Sequence, residues 1–527
     1  MINRSEPHIV GKSMLWRKII FVTWSLMLVI STTINAQNLV QTHSNNNYQF
    51  SGGNGSSSNP WQISTWEDLH NIRNEYNDDF ILINDLTVNM TGYSTYGANW
   101  DPIYKFKGDL NGQGHEIQGL VINSNENNTA FIGKLDENAK ITSLGIVNAQ
   151  VTGTGERVAV MVGHAFESQI LDSYADGHVH GGSSSWGLGI LVGELQEGLV
   201  KRSFTTGKIT GGYWAAGGLV GENYEGQIED SYSHVLVNPD DHDDGRVGGL
   251  VGNIIGDDNY EGTVKRSFST NKAFVGSEYF GPIGKTEGPL NLHGVYWDKE
   301  RSNRGNDSYA NTYEEPTSQL YGLIAGAQMG LLDFSSSGPW STVSQGNVFA
   351  DGSVAPTDWY PILKTIAAEP QLRLLQNQFL MEIVVPSGSL EMQLPLRGIT
   401  DVTVEWGDGT YTTHTANYPQ SPTNSITHTY SSPGTYTIAI RGETEQFGDN
   451  DQVDIDRRIY SEKITKVFSF GDLGLTSLES AFSGAVNLTQ VPSYLPPNVE
   501  NLSKSFANAS IFNDSNISSW DVSSVTN

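Results

Sequence analysis

The sequence predicts a mainly β protein: a right-handed parallel β-helix, then a small β-sandwich, then the start of a second solenoid of shorter period. Three observations predict it. A phrase of the form Gly-Leu-Val-Gly recurs, its last glycine falling at Gly133, Gly163, Gly193, Gly221, Gly252 and Gly284, with spacings of 30, 30, 28, 31 and 32 residues. A period near 30 marks one supersecondary unit stacked on copies of itself. A serine–aromatic pair keeps pace: Ser173-Tyr174, Ser203-Phe204 and Ser231-Tyr232 each follow a motif glycine by ten residues, and Ser267-Phe268 arrives late after an insert. Between the short apolar runs lie Gly, Asn, Ser and Asp, which are turn residues, and no helical period long enough to cross a sheet.

The register assigns a place to each position. Apolar side chains are expected to stack inside, with the motif glycines at coil corners where φ turns positive or backbones crowd. Lys201-Arg202, Glu229-Asp230 and Lys265-Arg266 fall on successive coils. Neighbouring strands lie about 4.8 Å apart, so opposite charges would face along the stack, where like charges would repel. Trp186 and Trp214 each precede a motif glycine by seven residues, so one is expected above the other, with Tyr213 beside the second. Trp186, Tyr213 and Trp214 are therefore the candidate ligand-binding residues, a platform for the apolar face of a sugar. The alternative is an aromatic cap over a coil corner.

At 527 residues the chain has room for about three domains. It has no cysteine, so disulfides and thiol chemistry are excluded. Residues 1–36 are predicted to be a signal peptide: Arg17-Lys18 precede a largely apolar run from Ile19 to Ile30, and Ile34-Asn35-Ala36 ends a polar stretch suited to cleavage. Past residue 36 the chain carries 26 Lys and Arg against 57 Asp and Glu, a balance of −31. Such a surface disfavours nucleic acid and anionic lipid and suits an exported protein at the cell surface or outside it. No later segment is long enough to span a membrane.

Residues 37–365 are assigned to the β-helix and its cap. Thr65 is expected to cap a short helix, Trp66 to Arg73, with Asp68 completing a capping box. A helix leading into a stack of strands protects an otherwise open sheet edge. Residues 366–460 change pattern. E-I-V-V-P, T-V-E-W-G-D-G-T, I-T-H-T-Y and G-T-Y-T-I-A-I alternate apolar and polar residues, as in a small sandwich, and Asp408 is expected to hold a tight turn through its own side chain. Residues 461–527 repeat again, L-T-S-L-E-S-A-F from Leu475 being echoed from Val499 and begun once more at Val522, with periods of 24 and 23. Those periods lie in the leucine-rich-repeat range, and the third unit is incomplete.

The order I-S-T-W-E-D-L, F-I-L-I-N-D-L, N-W-D-P-I, F-K-G-D-L-N-G-Q-G-H-E-I-Q-G-L and L-G-I-V-N-A-Q-V-T-G, then G-G-L-V-G repeats and a closing V-Y-W-D-K-E, resembles bacterial surface proteins carrying the GLUG motif. The likeness covers roughly residues 50 to 365. W-G-D-G-T with the later H-T-Y and G-T-Y-T-I resembles the PKD-type immunoglobulin-like domain. I-S-S-W-D-V-S-S-V-T-N with the final repeats resembles BspA-like surface proteins. The resemblance implies an exported bacterial adhesin or binding scaffold, engaging a host or matrix protein or a glycan. Some GLUG relatives carry immunoglobulin-cleaving peptidase domains, so the motif names no activity.

No catalytic constellation stands out along the chain, and no cofactor is expected. H-E-I-Q-G at His115 has Gly119 where a zincin helix needs its second histidine. No nucleophile elbow or phosphate-binding loop is present. His178 and His180, near Asp172 and Asp176, share a strand face, but surface turn histidines are far commoner than ligands, so no metal site is assigned. The acidic turn Asp240–Asp244 fails as an EF-hand, with His242 at the third position and Val251 at the twelfth, which leaves a looser calcium site or an ordinary solvated acidic turn. A β-helix hydrolase needs two carboxyls about 5–10 Å apart, and the sequence singles out no pair. The rival readings are an exported β-helix enzyme acting on polysaccharide or protein, and a passive stalk for a domain further along the chain.

Overall fold

The computed structural model describes residues 50–238, 246–256, 261–270, 272–273, 281–299, 309–316, 319–344, 346–351, 353, 355, 359–372, 378–408, 410–418, 426–448, 460–471, 473–492, 495–496, 498–520, 522 and 524–527. The expected export signal and the acidic turn Asp240–Asp244 lie outside the described residues. Strand makes up 46% and helix 8%, so the chain is mainly β, and its larger part is a β-solenoid of about seven turns.

The coils are held in register by columns of apolar side chains. Leu110, Ile141, Ile170, Val200, Ile228, Val264 and Leu292 are Cα partners in consecutive parallel pairings. Ile132, Val162, Val192, Val220, Val251 and Ile283 form a second column. Both columns belong to one buried core. Removing such surface from water is worth about 25 cal/mol per Å², and each coil can only bury its apolar face against its neighbours. At the start of the solenoid stands α1, Trp66–Asn71, with the expected capping box: the Thr65 hydroxyl accepts from Asp68 N–H, and the Asp68 carboxylate accepts from Thr65 N–H.

The motif glycines are not at the corners. Each is the second residue of a strand in a six-stranded parallel sheet: Ile132–Leu135, Val162–Phe166, Val192–Gln196, Val220–Tyr224, Val251–Ile255 and Ile283–Glu287. None has positive φ. Close approach is what requires them. A Cβ on Gly221 would lie 2.5 Å from the Gly187 carbonyl carbon, and one on Gly252 would lie 2.6 Å from the Ala216 nitrogen.

One set of corners is built instead from charged residues in the left-handed region: Asp172, Arg202, Asp230 and Arg266, with φ of 51°, 50°, 47° and 48°. For a non-glycine residue this conformation costs roughly 1–2 kcal/mol. Arg202, Asp230 and Arg266 belong to the charge ladder that the register predicts, and Asp172 extends it by one coil. Arg202 grips Asp172 through two contacts of 2.6 and 2.7 Å, and Arg266 grips Asp230 through two of 2.7 and 2.8 Å. Lys201 Nζ lies 2.7 Å from Glu229, its Cα partner on the next coil.

Directly after each corner comes a buried serine. Ser173, Ser203, Ser231 and Ser267 each donate to the carbonyl two residues back, at 2.8, 3.1, 2.8 and 2.9 Å. Each also accepts from an N–H one coil earlier: Leu144, Ser173, Ser203 and Ser231 in turn. The aromatic partners stack outside the core. Tyr174, Phe204, Tyr232 and Phe268 follow one another at centroid distances of 4.9, 5.0 and 5.0 Å, within 8° of parallel.

A non-repeating segment covers that aromatic column. It contributes α2, Gly322–Gln328, an antiparallel pair formed by Trp340–Val343 and Trp359–Leu363, and α3, Ala368–Leu372. Trp340 lies 5.4 Å from the Phe268 ring, and Gln371 accepts from the Tyr232 hydroxyl at 3.1 Å. The cover also reaches onward: Tyr321 donates to Glu405 at 2.8 Å and Arg441 sits 4.7 Å over Trp359.

Beyond it lies a five-stranded antiparallel sheet, Phe379–Val385, Leu396–Glu405, Tyr411–Tyr418, Gly434–Phe447 and Ile464–Phe470, with a two-stranded partner, Glu391–Leu394 and Ile426–Thr429. The final segment stacks on the strands Gly434–Phe447 and Ile464–Phe470. Gln446 bridges to Ser477 and Ser477 to Asn501, both parallel. The N–H groups of Leu478, Ser480, Phe482 and Gly484 donate to the carbonyls of Asn501, Ser503, Ser505 and Ala507 one unit later. One apolar cluster runs through both parts.

Candidate binding face

The six-stranded glycine sheet places one polar column on the outside of the solenoid. Lys134, His164, Glu194, Glu222, Asn253 and Lys285 are Cα partners in that order, each directly after a motif glycine. Glu194 and Glu222 are buried. Arg157 Nε donates to Glu194 at 2.8 Å, His164 Nε2 lies 3.2 Å from the same carboxylate, and Asn253 Nδ2 donates to Glu222 at 3.0 Å. Burial pushes the Glu222 carboxyl up, and the Glu194 charge adds to this against the opposing pull of Asn253, Arg157 and Arg246. Burial also pushes the His164 imidazole down.

The candidate aromatics flank this column. Trp186 is half-buried, with the Arg157 guanidinium 4.5 Å from its ring centroid, and Trp214 carries Arg246 at 3.8 Å. The expected stack of Trp186 upon Trp214 is not formed: among the described residues the two rings make no contact with each other, and each is instead covered by an arginine of a neighbouring coil. The register does place them at equivalent positions, since Leu188 pairs with Ala216. Equal register fixes backbone position and leaves the side-chain torsions to local partners, and a guanidinium over an indole face is worth about 0.5–2 kcal/mol. Trp214 remains 39% exposed and Tyr213 51%, their centroids 6.0 Å apart. The cluster thus joins an exposed aromatic edge to a buried, paired carboxylate column through two arginines.

Two carboxyls in adjacent register, one paired with cations and the other pushed toward its neutral form, are the ingredients of acid–nucleophile chemistry. Here both are buried and occupied by protein partners. The sequence reading singles out no such pair; the signal that marks it is the glutamate directly after two aligned glycines, Gly193-Glu194 and Gly221-Glu222. Among the described residues no group of three or more His, Asp or Glu side chains gathers to hold a metal ion.

The other sequence candidates fall elsewhere. His115 pairs with Asp85 at 3.0 Å beside the strand Glu116–Gln118, not on a helix. Asp172 belongs to the corner ladder. Asp176 accepts from Thr206 and from Asn148 N–H. Asp408 holds its turn as expected, accepting from Thr410 N–H at 3.0 Å and Thr410 Oγ1 at 2.6 Å. It also lies 2.7 Å from His428, which stacks on Trp406. Twenty residues separate that pair, which the sequence carries as the aspartate of W-G-D-G-T and the histidine of H-T-Y.

No family model matches the chain. Halomucin of Haloquadratum walsbyi is 36% identical over 110 residues, which is 20% of this chain and 1% of halomucin. A "putative Gly-rich membrane protein" of Evansella cellulosilytica is 32% identical over 114 residues, 20% of this chain and 13% of that protein. The chain therefore spans only a small part of the length of these curated relatives. Among solved structures, a "putative immunoglobulin A1 protease" from Bacteroides ovatus superposes with a TM-score of 0.40 and 18% identity, over 60% of this chain and 96% of that one. No helix among the described residues is long and apolar enough to cross a membrane.

Proposed function

We propose that this chain is part of an exported bacterial surface protein that works as an adhesin or binding scaffold for matrix proteins or glycans. In this reading the coils are GLUG-type repeats, residues 366–460 a PKD-like spacer, and residues 461–527 BspA-like leucine-rich repeats. The observation that carries it is the pairing pattern of the coils. The corner charges of the coils are matched within the array, Arg202 to Asp172 and Arg266 to Asp230, while Tyr213 and Trp214 project from its edge. Repetition then sums shallow contacts by multivalency. One relative is named as a membrane protein, which supports a cell-envelope setting.

The Glu194–Glu222 pair favours the rival enzyme reading. A glycan and matrix-protein array run beside a substrate-release screen separates the two. Adhesion is supported by binding without turnover that weakens at least about tenfold in Trp214→Ala. Turnover abolished by Glu222→Gln would replace it with the enzyme.

A further inference from the structure

On the strand Tyr174–Gly181, His178 and His180 lie two residues apart and so share one face. His178 Nε2 is 2.8 Å and His180 Nδ1 is 3.0 Å from one and the same atom, Oγ1 of Thr210 on the next coil. Their ring centroids are 6.5 Å apart and the rings are inclined by 67°. Two imidazole nitrogens thus converge on a single point at the surface.

A hydroxyl carries one proton. It can donate to one of these nitrogens and accept from the other, but it cannot donate to both. A divalent ion asks both nitrogens for a lone pair, and each neutral imidazole can supply one by carrying its proton on the other ring nitrogen. Metal–imidazole bonds of about 2.0–2.1 Å are shorter than the present contacts to oxygen. The ion would therefore sit between the two rings, on the near side of Thr210.

We propose that His178 and His180 form a surface two-imidazole chelate for a divalent transition ion of the Zn²⁺, Cu²⁺ or Ni²⁺ class, with water completing the coordination. Imidazole suits these ions over Mg²⁺ or Ca²⁺. Neighbouring charges set its strength. Lys208 is the Cα partner of His178 and opposes a cation, while Asp176, two residues back, is engaged by Thr206 and Asn148. Two protein ligands beside a lysine make this a weak, exchangeable site and not a structural one.

The chain has 12 histidines, so the test is a difference measurement. The full chain and His178→Asn, His180→Asn and double variants are titrated with Zn²⁺ and Ni²⁺ by calorimetry, with thermal melts confirming unchanged folding. The double variant should lose one equivalent of bound ion, and each single variant should weaken that equivalent at least about tenfold. Thr210→Val should retain it, because the hydroxyl is not a required ligand. Equal stoichiometry in the parent and the double variant overturns the proposal, as does loss of the equivalent in Thr210→Val alone. Neither outcome bears on adhesion, which is read through Trp214→Ala on a glycan or matrix-protein array.

Discussion

The Arg246 guanidinium carbon lies 3.8 Å from the ring centroid of Trp214, while Arg246 Nη2 holds Glu287 on the following coil. The indole is thereby fixed between coils before any ligand arrives, and preorganisation of this kind strengthens binding by reducing what must be ordered. Arg246→Gln should loosen the ring, shift the tryptophan fluorescence and weaken ligand capture less than Trp214→Ala does. Equal losses in the two variants would mean that the arginine itself contacts the ligand.

The corner ladder predicts an asymmetric rescue. Asp172→Arg alone opposes Arg202 and breaks a two-point ion pair, a loss of about 1.5–3 kcal/mol. Exchanging the pair, Asp172→Arg with Arg202→Glu, restores it but sets the new carboxylate at position 202 against Asp230 on the next coil. The double variant should melt between the parent and the single variant, with the gap to the parent narrowing in high salt. Full recovery at low salt would show that the ladder acts only pairwise.

Ser231→Ala removes one rung of the serine column. The Ser203 N–H loses its acceptor inside the coil, while the Glu229 carbonyl keeps the Arg202 N–H as its donor. An unsatisfied buried group costs about 1–3 kcal/mol, so thermal denaturation should register a loss of that size. Ser336→Ala, at an exposed loop serine, should leave the melting temperature unchanged.

The polar column gives a pH dependence. A carboxyl whose folded pKa is raised stabilises fully below its unfolded value and loses that contribution as pH rises through the folded value. Burial raises Glu222 from an ordinary 4.5, so this group erodes stability as solutions move from acidic to neutral. Glu222→Gln should match the parent near pH 4 and exceed it at pH 8. A variant less stable than the parent at both values would show that the charged carboxylate holds the face together.

Phe268 lies between the aromatic column and its cover, touching Tyr232, Trp340 and Tyr360. Phe268→Ala should cost about 3–5 kcal/mol and speed proteolysis within residues 320–372 more than within the coils. Uniform cleavage along the chain would mean that the cover does not depend on this ring.

Much of the solenoid was legible because a repeat turns one alignment into many contacts: the Arg202–Asp172 grip and the serine rungs follow once the glycines are in register. The sequence misplaced the glycines at corners and left open which of two reasons requires them. Glycine answers both to positive φ and to close approach, and only coordinates show that Gly221 serves the second while Arg202 takes the left-handed corner. Side-chain torsions were equally out of reach, which is why Trp186 and Trp214 were expected to stack. The cover was invisible for another reason. Residues 320–372 repeat nothing, so no periodicity announces that they lie on Tyr232 and Phe268. For the candidate face, the aligned glycines mark Glu194 and Glu222 as neighbours, but nothing in the sequence marks their burial.

The alternation Asp172, Arg202, Asp230, Arg266 also bears on how such an array can grow. Loss of a single coil would bring Arg202 against Arg266, and insertion of a copied coil would set like against like at one of its two seams. Loss or gain of two coils preserves the sequence of signs. Gene-level duplication and deletion in this stretch are therefore filtered by parity, and the number of coils should change in even steps.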